Sequence, residues 1–171
     1  TGFLDRLALT PMRSAALLLG QLAGVVALAL LQATLYLTIG IVAGVRPESG
    51  VPGVFLIVLL GVLVALAFGA IGAFLALRTG SGEAIQALFP LFFVFLFLSS
   101  MNLPRNLIEI DWFRTVTTIN PVSYLIECVR SLIITGWDPQ ALALGFGVAI
   151  AITIVSLALA SWAMTRRLTR T

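Results

Sequence analysis

Few side chains in this sequence could do acid–base, nucleophilic or metal chemistry. The 171 residues carry ten arginines and seven carboxylates, with no lysine and no histidine. A phosphate-binding loop needs a lysine, and a serine or cysteine nucleophile needs a base that histidine or lysine usually supplies. Cys128 is the single cysteine, so neither a disulfide within the chain nor a cysteine metal cluster can form. We expect no bound metal and no cofactor.

Three carboxylates in one predicted loop are the remaining candidates for catalysis. Glu109, Asp111 and Glu127 lie within 19 residues of one another. Paired carboxylates can act as general acid and base. A carboxylate enzyme working at a lipid surface is therefore one hypothesis, although we expect Glu127 to form an ion pair with Arg130, three residues later on the same helix. Nucleic-acid binding is not expected, because the arginines are scattered along the chain.

The spacing of the charges predicts an all-α integral membrane protein. Only 10% of residues are charged, 60% are hydrophobic, and the mean hydropathy is +1.13, whereas soluble domains carry about a quarter charged residues. About 20 apolar residues cross the hydrocarbon core. Four runs without charge predict four membrane spans near residues 15–43, 53–77, 84–101 and 140–163.

The arginines also predict the orientation of these spans. Basic residues accumulate in cytoplasmic loops. With a cytoplasmic N-terminus, six of the ten arginines fall inside, three of them in the tail at residues 164–171. We therefore expect both ends of the chain to be cytoplasmic and the segment of residues 104–136 to be external.

The external segment contains a helix with defined ends. Asn120 is typical of an N-cap, Pro121 of the first helical position, and Gly136 of the residue after the last turn. The helix is too short to cross a bilayer and too apolar for a plain surface helix. We expect it to dip into the outer leaflet in a re-entrant manner, after a shorter helix that begins near Asp111.

The predicted spans hold no charged residue, which bears on how a solute could be moved. Carriers driven by protons or sodium usually keep an ionisable group within the membrane. If this chain moves a solute uphill, the energy must come from another polypeptide. Our candidates for residues along a pathway are three polar side chains and one aromatic side chain: Gln21, Gln32, Tyr36 and Phe93.

Two segments resemble the ATP-binding-cassette type 2 permease family. The run from Gly2 to Pro11, with its Arg-Leu and Thr-Pro steps, is similar to the cytoplasmic coupling segment of that family. The stretch from Leu98 through Pro104, followed by Trp112-Phe113 and Asn120-Pro121-Val122-Ser123-Tyr124, resembles its external region. The turn at residues 78–88 also fits the family pattern.

The resemblance implies a fold, partners and site residues. Family permeases have six spans, so this chain would lack the first two. Two permease copies, identical or different, pair with cytoplasmic ATPase subunits, and a coupling helix at residues 1–12 transmits ATP-driven closure. The residues implied for coupling are Leu4, Asp5, Arg6, Leu7, Thr10 and Pro11. The residues implied for the external helix motif are Asn120, Pro121, Tyr124, Glu127, Arg130 and Gly136.

The sequence thus predicts the permease subunit of an ATP-driven exporter in the cytoplasmic membrane of a prokaryote. Its cargo would be an amphipathic or hydrophobic solute such as a drug, a lipid or a lipid-linked glycan, and ATP hydrolysis would reside in the partner. A non-transporting membrane module, such as an immunity or scaffold protein, is the alternative with the same composition.

Overall fold

The computed structural model describes residues 14–80, 86 and 88–168. Throughout these residues the regular structure is helical. The α-helices are α1 (Ser14–Val42), α2 (Gly50–Thr79), α3 (Leu88–Phe97), α4 (Asp111–Ile119), α5 (Pro121–Arg130) and α6 (Pro139–Leu168). A short 3-10 helix (Arg105–Leu107) precedes α4, and a π-helical turn (Ser131–Thr135) continues α5.

Three of these helices are long and apolar enough to cross a membrane. Their crossing segments are Leu18–Val42, Gly50–Thr79 and Pro139–Arg166, with mean hydropathies of 2.2, 3.1 and 2.5. Backbone polar groups find no water in the hydrocarbon core, so a continuous helix that satisfies them internally is the stable form for such sequences. These helices confirm three of the four predicted spans, and α6 continues as a helix to Leu168, past the predicted span end at residue 163.

The long helices pack through small residues. α2 lies between the other two and contacts both. In one core cluster Leu18 and Leu22 of α1 meet alanines of the other helices, Ala70 and Ala73 of α2 and Ala160 of α6. Lipid tails are as apolar as leucine, so helices in a membrane gain from close van der Waals contact rather than from leaving water. The alanines permit that contact.

The third predicted span is described only in part. Its helix, α3, has ten residues and therefore extends about 15 Å, half of the ~30 Å hydrocarbon core. Turns follow from residue 98 to residue 101. The crossing at residues 84–101 stays a prediction, since residues 81–85 and 87 are outside the described part of the chain.

Short helices occupy the segment between α3 and α6, as the sequence predicts. α5 packs against α6 and contacts α3 and α4. The predicted coupling segment at residues 1–12 lies outside the described residues, as do residues 169–171 of the predicted tail.

Candidate functional site

Asn120 joins the N-terminus of α5 to α3. Its side-chain oxygen accepts a hydrogen bond from the backbone N–H of Val122 at 3.0 Å, and Pro121 occupies the first turn. The predicted N-cap is thereby confirmed. Its side-chain nitrogen donates to the carbonyl oxygen of Phe95 at 2.6 Å, so the same amide caps one helix and holds the end of another.

Two buried serines hold the chain that follows α3. The backbone N–H of Ser100 donates to the hydroxyl of Ser123 at 3.1 Å, and the Ser100 hydroxyl donates to the Ser123 carbonyl at 3.3 Å. Both residues have no exposed surface. Buried polar groups are stable only when they are hydrogen-bonded, and this reciprocal pair satisfies them where the loop meets α5.

Arg130 binds backbone carbonyls rather than the predicted carboxylate. Its Nη2 donates to the carbonyl oxygens of Ser100 at 2.6 Å and of Met101 at 3.0 Å. Its Nη1 is buried and has no hydrogen-bond partner among the described residues. The predicted ion pair of Arg130 with Glu127 is wrong. The carbonyl oxygens of the chain after α3 accept the hydrogen bonds of Arg130 instead.

Glu127 pairs with Arg105 instead, an arginine 22 residues earlier in the chain. Arg105 Nε donates to one carboxylate oxygen at 2.7 Å, and its Nη2 contacts the other. The guanidinium also lies over the ring of Tyr124, at 4.4 Å from the centroid. Glu127 raises the pKa of Arg105 above its ordinary value through this hydrogen bond. The contact fastens the 3-10 helix to α5.

The π-helical turn after α5 is tied to the loop between α1 and α2. The N–H of Gly136 donates to the Ser131 carbonyl at 2.7 Å, a bond over five residues that leaves the next carbonyls without helical partners. The Leu132 carbonyl oxygen accepts two hydrogen bonds from Ser49, one from its backbone N–H at 3.2 Å and one from its hydroxyl at 2.6 Å. Gly136 has a positive φ of 91°, which confirms the predicted end of the helix.

α5 and α6 approach each other closely at Gly145. A Cβ atom at this position would lie 2.4 Å from the Cβ of Cys128 and 3.0 Å from the Tyr124 carbonyl oxygen. Only a glycine allows this approach of backbone to backbone. Cys128 is fully buried in the contact, and burial raises the pKa of its thiol to about 11.

An apolar cleft of about 1110 Å³ opens between α1, α2, α3 and α5, with Ala149 and Ile152 of α6 also in its lining. Among the described residues, Arg130 is the one charged side chain that lines it. Of the four predicted pathway residues, Tyr36 and Phe93 line the cleft, and Gln21 and Gln32 do not. Both glutamines are exposed on α1, and their role in a pathway stays a prediction.

The aromatic side chains of α3 form one wall of this cleft. Phe92 packs edge-to-face on Phe68 of α2, with ring centroids 4.5 Å apart and an interplanar angle of 82°. Phe89, Phe93 and Phe95 line the cleft as well. Edge-to-face pairs contribute beyond the apolar area that they bury, so this contact holds α3 against α2.

A comparison with protein families identifies the chain. The family model for the ABC-2 type transporter matches residues 1–134, which is more than half of its length. The chain belongs to the ABC-2 type transporter family. The match covers Asn120 to Arg130, and the external helix motif expected at these residues stays a prediction. No curated protein and no solved structure matches the chain.

Several residues of the site were missed by reasoning from the sequence. Contacts that join distant segments of the chain are made by four residues that the sequence did not single out: Arg105, Ser100, Ser123 and Ser49. Their only signal is polarity within an apolar sequence.

The carboxylate hypothesis gains no support from the geometry. Glu127 forms an ion pair with Arg105, Asp111 pairs with Arg114, and the described residues contain no group of three metal-binding side chains.

Proposed function

We propose that this chain is the permease subunit of an ATP-driven exporter, and that it moves an amphipathic or hydrophobic solute across the cytoplasmic membrane of a prokaryote. ABC-2 membrane domains work with an ATPase subunit, and no lysine is present here for a phosphate-binding loop. ATP would bind and be hydrolysed in that separate partner. A second permease copy, identical or different, would complete the pathway.

The apolar cleft is the observation that carries this proposal. Its volume of about 1110 Å³ slightly exceeds the range for small-molecule sites, about 300–1,000 Å³. Its walls, as far as the chain is described, are aliphatic and aromatic side chains with Arg130 as the single cation. Such a surface accepts an apolar body and rejects small hydrophilic solutes, which would lose their hydration without gaining hydrogen bonds.

The proposed coupling segment comprises Leu4, Asp5, Arg6, Leu7, Thr10 and Pro11. In this arrangement both chain ends are cytoplasmic, and α4 and α5 lie on the external side, above the cleft. Closure of the ATPase subunits would move the coupling segment, and the movement would reach the cleft through α1. The family match includes this segment, and the amphipathic pattern of Phe3, Leu4 and Leu7 supports a docking role.

Reconstitution tests the proposal. The full-length protein is co-purified with its ATPase and placed in liposomes, and ATP-dependent movement of an amphipathic fluorescent dye is measured. We expect transport with ATP and none without it. Transport by the permease alone, driven by a pH gradient, would contradict the proposal.

A double variant tests the coupling role separately. We expect Arg6→Glu with Leu7→Asp to lower transport at least about tenfold while the ATPase still co-purifies, because opposite charge and lost apolar contact disrupt a docking helix. Arg114→Gln, on an exposed ion pair of α4, is the matched control and should transport normally. Normal transport by the double variant would refute the coupling role.

A further inference from the structure

The apolar cleft and Arg130 together define the ligand that we infer. All three helices able to cross a bilayer contribute lining residues to the cleft, α6 through Ala149 and Ile152, so the cleft lies among lipid tails. The lining residues of α2 run from Ile57 to Ile71. At 1.5 Å per residue these 14 steps extend about 21 Å, more than the ~15 Å depth of one leaflet. An entire acyl chain therefore fits along α2.

One end of the cleft carries a cation with spare hydrogen-bonding capacity. Arg130 is the only charged residue that lines the cleft in the part of the chain that the structure describes. Its Nη2 binds two carbonyl oxygens, and its Nη1 has no acceptor there. A buried donor without an acceptor costs free energy, and more so on a charged group. Nη1 is shielded from solvent, so a ligand phosphate in the cleft contacts it only when the guanidinium turns towards the cleft.

We propose that the cleft is a binding site for one anionic phospholipid, whose acyl chain lies along α2 and whose headgroup pairs with Arg130. An acidic phosphate supplies the acceptor that Nη1 lacks, and arginine is well suited to phosphate because its planar fork can donate two hydrogen bonds. The apolar face of a second copy would fill the cleft but would leave Nη1 without an acceptor. The inference concerns what rests in the cleft and holds whether or not the chain transports a solute.

Native mass spectrometry tests the assignment directly. The full-length complex is released from nanodiscs that contain equal amounts of phosphatidylglycerol, which is anionic, and phosphatidylcholine, which is zwitterionic. We expect one phosphatidylglycerol retained per chain, at a ratio to phosphatidylcholine of at least about ten, because both lipids offer a phosphate but the quaternary ammonium of phosphatidylcholine repels the guanidinium.

Substitutions separate the headgroup contact from the acyl contact. Arg130→Gln keeps a donor for the Ser100 and Met101 carbonyls but removes the charge, and we expect it to reduce the ratio to about one. Arg114→Gln is the matched control, since Arg114 pairs with Asp111 and does not line the cleft. Val64→Trp fills the middle of the cleft, and we expect it to lose both lipids. Size-exclusion elution and the melting temperature report folding of each variant.

Three results would overturn the assignment. They are equal retention of the two lipids by the unaltered protein, an unchanged ratio in Arg130→Gln, and a lipid-free complex in which a second copy or another protein segment covers the cleft. Because the readout is bound lipid, a failure of the transport assay leaves this test intact. Conversely, loss of the bound lipid leaves ATP-dependent transport measurable.

Discussion

Replacing Gly145 by alanine tests how closely α5 and α6 approach each other. The added Cβ would lie 2.4 Å from the Cβ of Cys128, 3.0 Å from its sulfur and 3.0 Å from the Tyr124 carbonyl oxygen. Carbon atoms in contact are about 3.5–4.0 Å apart. The two helices must therefore separate by about 1 Å, because the obstructing atoms belong to the backbone or lie next to it and cannot rotate away.

The magnitude follows from two opposing contributions to the free energy of unfolding. Overpacking a well-packed contact costs about 1–3 kcal/mol. Alanine in place of glycine within a helix stabilises it by about 0.8–1 kcal/mol. Gly147→Ala, two residues along the same helix, gains the second contribution alone, since no atom lies within 4 Å of a Cβ there. The two variants should differ by the overpacking cost, about 1–3 kcal/mol, with Gly145→Ala the less stable.

Thermal unfolding in detergent measures the difference. For chains of this length about 1 kcal/mol shifts the melting temperature by about 2–4 °C, so Gly145→Ala should melt about 2–12 °C below Gly147→Ala. The three tryptophans provide the fluorescence signal. Lipid-like detergent and protein concentration are kept the same for both variants.

A third variant makes the reasoning refutable. Cys128→Ala removes the sulfur but keeps the Cβ that is the nearest atom at 2.4 Å. Adding it to Gly145→Ala should therefore not restore the melting temperature. Equal melting temperatures of Gly145→Ala and Gly147→Ala, or full rescue by Cys128→Ala, would show that α5 and α6 do not approach as described.

Three further predictions concern the short helices. Glu127→Gln weakens the contact with Arg105 and should lower stability by about 1 kcal/mol, read as the melting temperature, while Asp111→Asn, whose carboxylate is 92% exposed, should change it little. Asn120→Ala loses both a helix cap and a hydrogen bond to α3 and should lower the free energy of unfolding by about 1–3 kcal/mol. Asn120→Asp keeps the cap, so its free energy of unfolding should lie between those of Asn120→Ala and the unaltered protein. The pKa of Cys128 rises from 9.0 to about 11 on folding, so between these pH values the folded state keeps a proton that the unfolded state loses. The melting temperature should therefore fall as the pH rises from 9 to about 11. A Cys128→Ala variant should lack that part of the fall.

The positions of the charges predict most of the membrane architecture. Uncharged runs located α1, α2 and α6 to within a few residues, since a bilayer requires long apolar helices and tolerates few alternatives. The capped helix that begins after Asn120 was predictable for a local reason as well. Its N-cap, its proline and its final glycine each act within a few residues.

Contacts between distant segments were not predictable in the same way. The rule that pairs residues three apart on a helix favoured Glu127 with Arg130, but it takes no account of Arg105 or of the Ser100 carbonyl, which lie elsewhere in the chain. The π-helical turn has no sequence pattern of its own. The structure shows it through the hydrogen bond from the Gly136 N–H to the Ser131 carbonyl, which spans five residues instead of four. The cleft arises from the packing of five helices, which no single segment encodes.

The hydrogen bonds at the π-helical turn have a mechanical consequence. Ser49 donates twice to the Leu132 carbonyl and Glu48 donates once to the Ile133 carbonyl, immediately before α2 begins at Gly50. These three hydrogen bonds join the residues before α2 to the π-helical turn that follows α5. We expect a tilt of α2 to be transmitted through them to the end of α5, which lines the cleft.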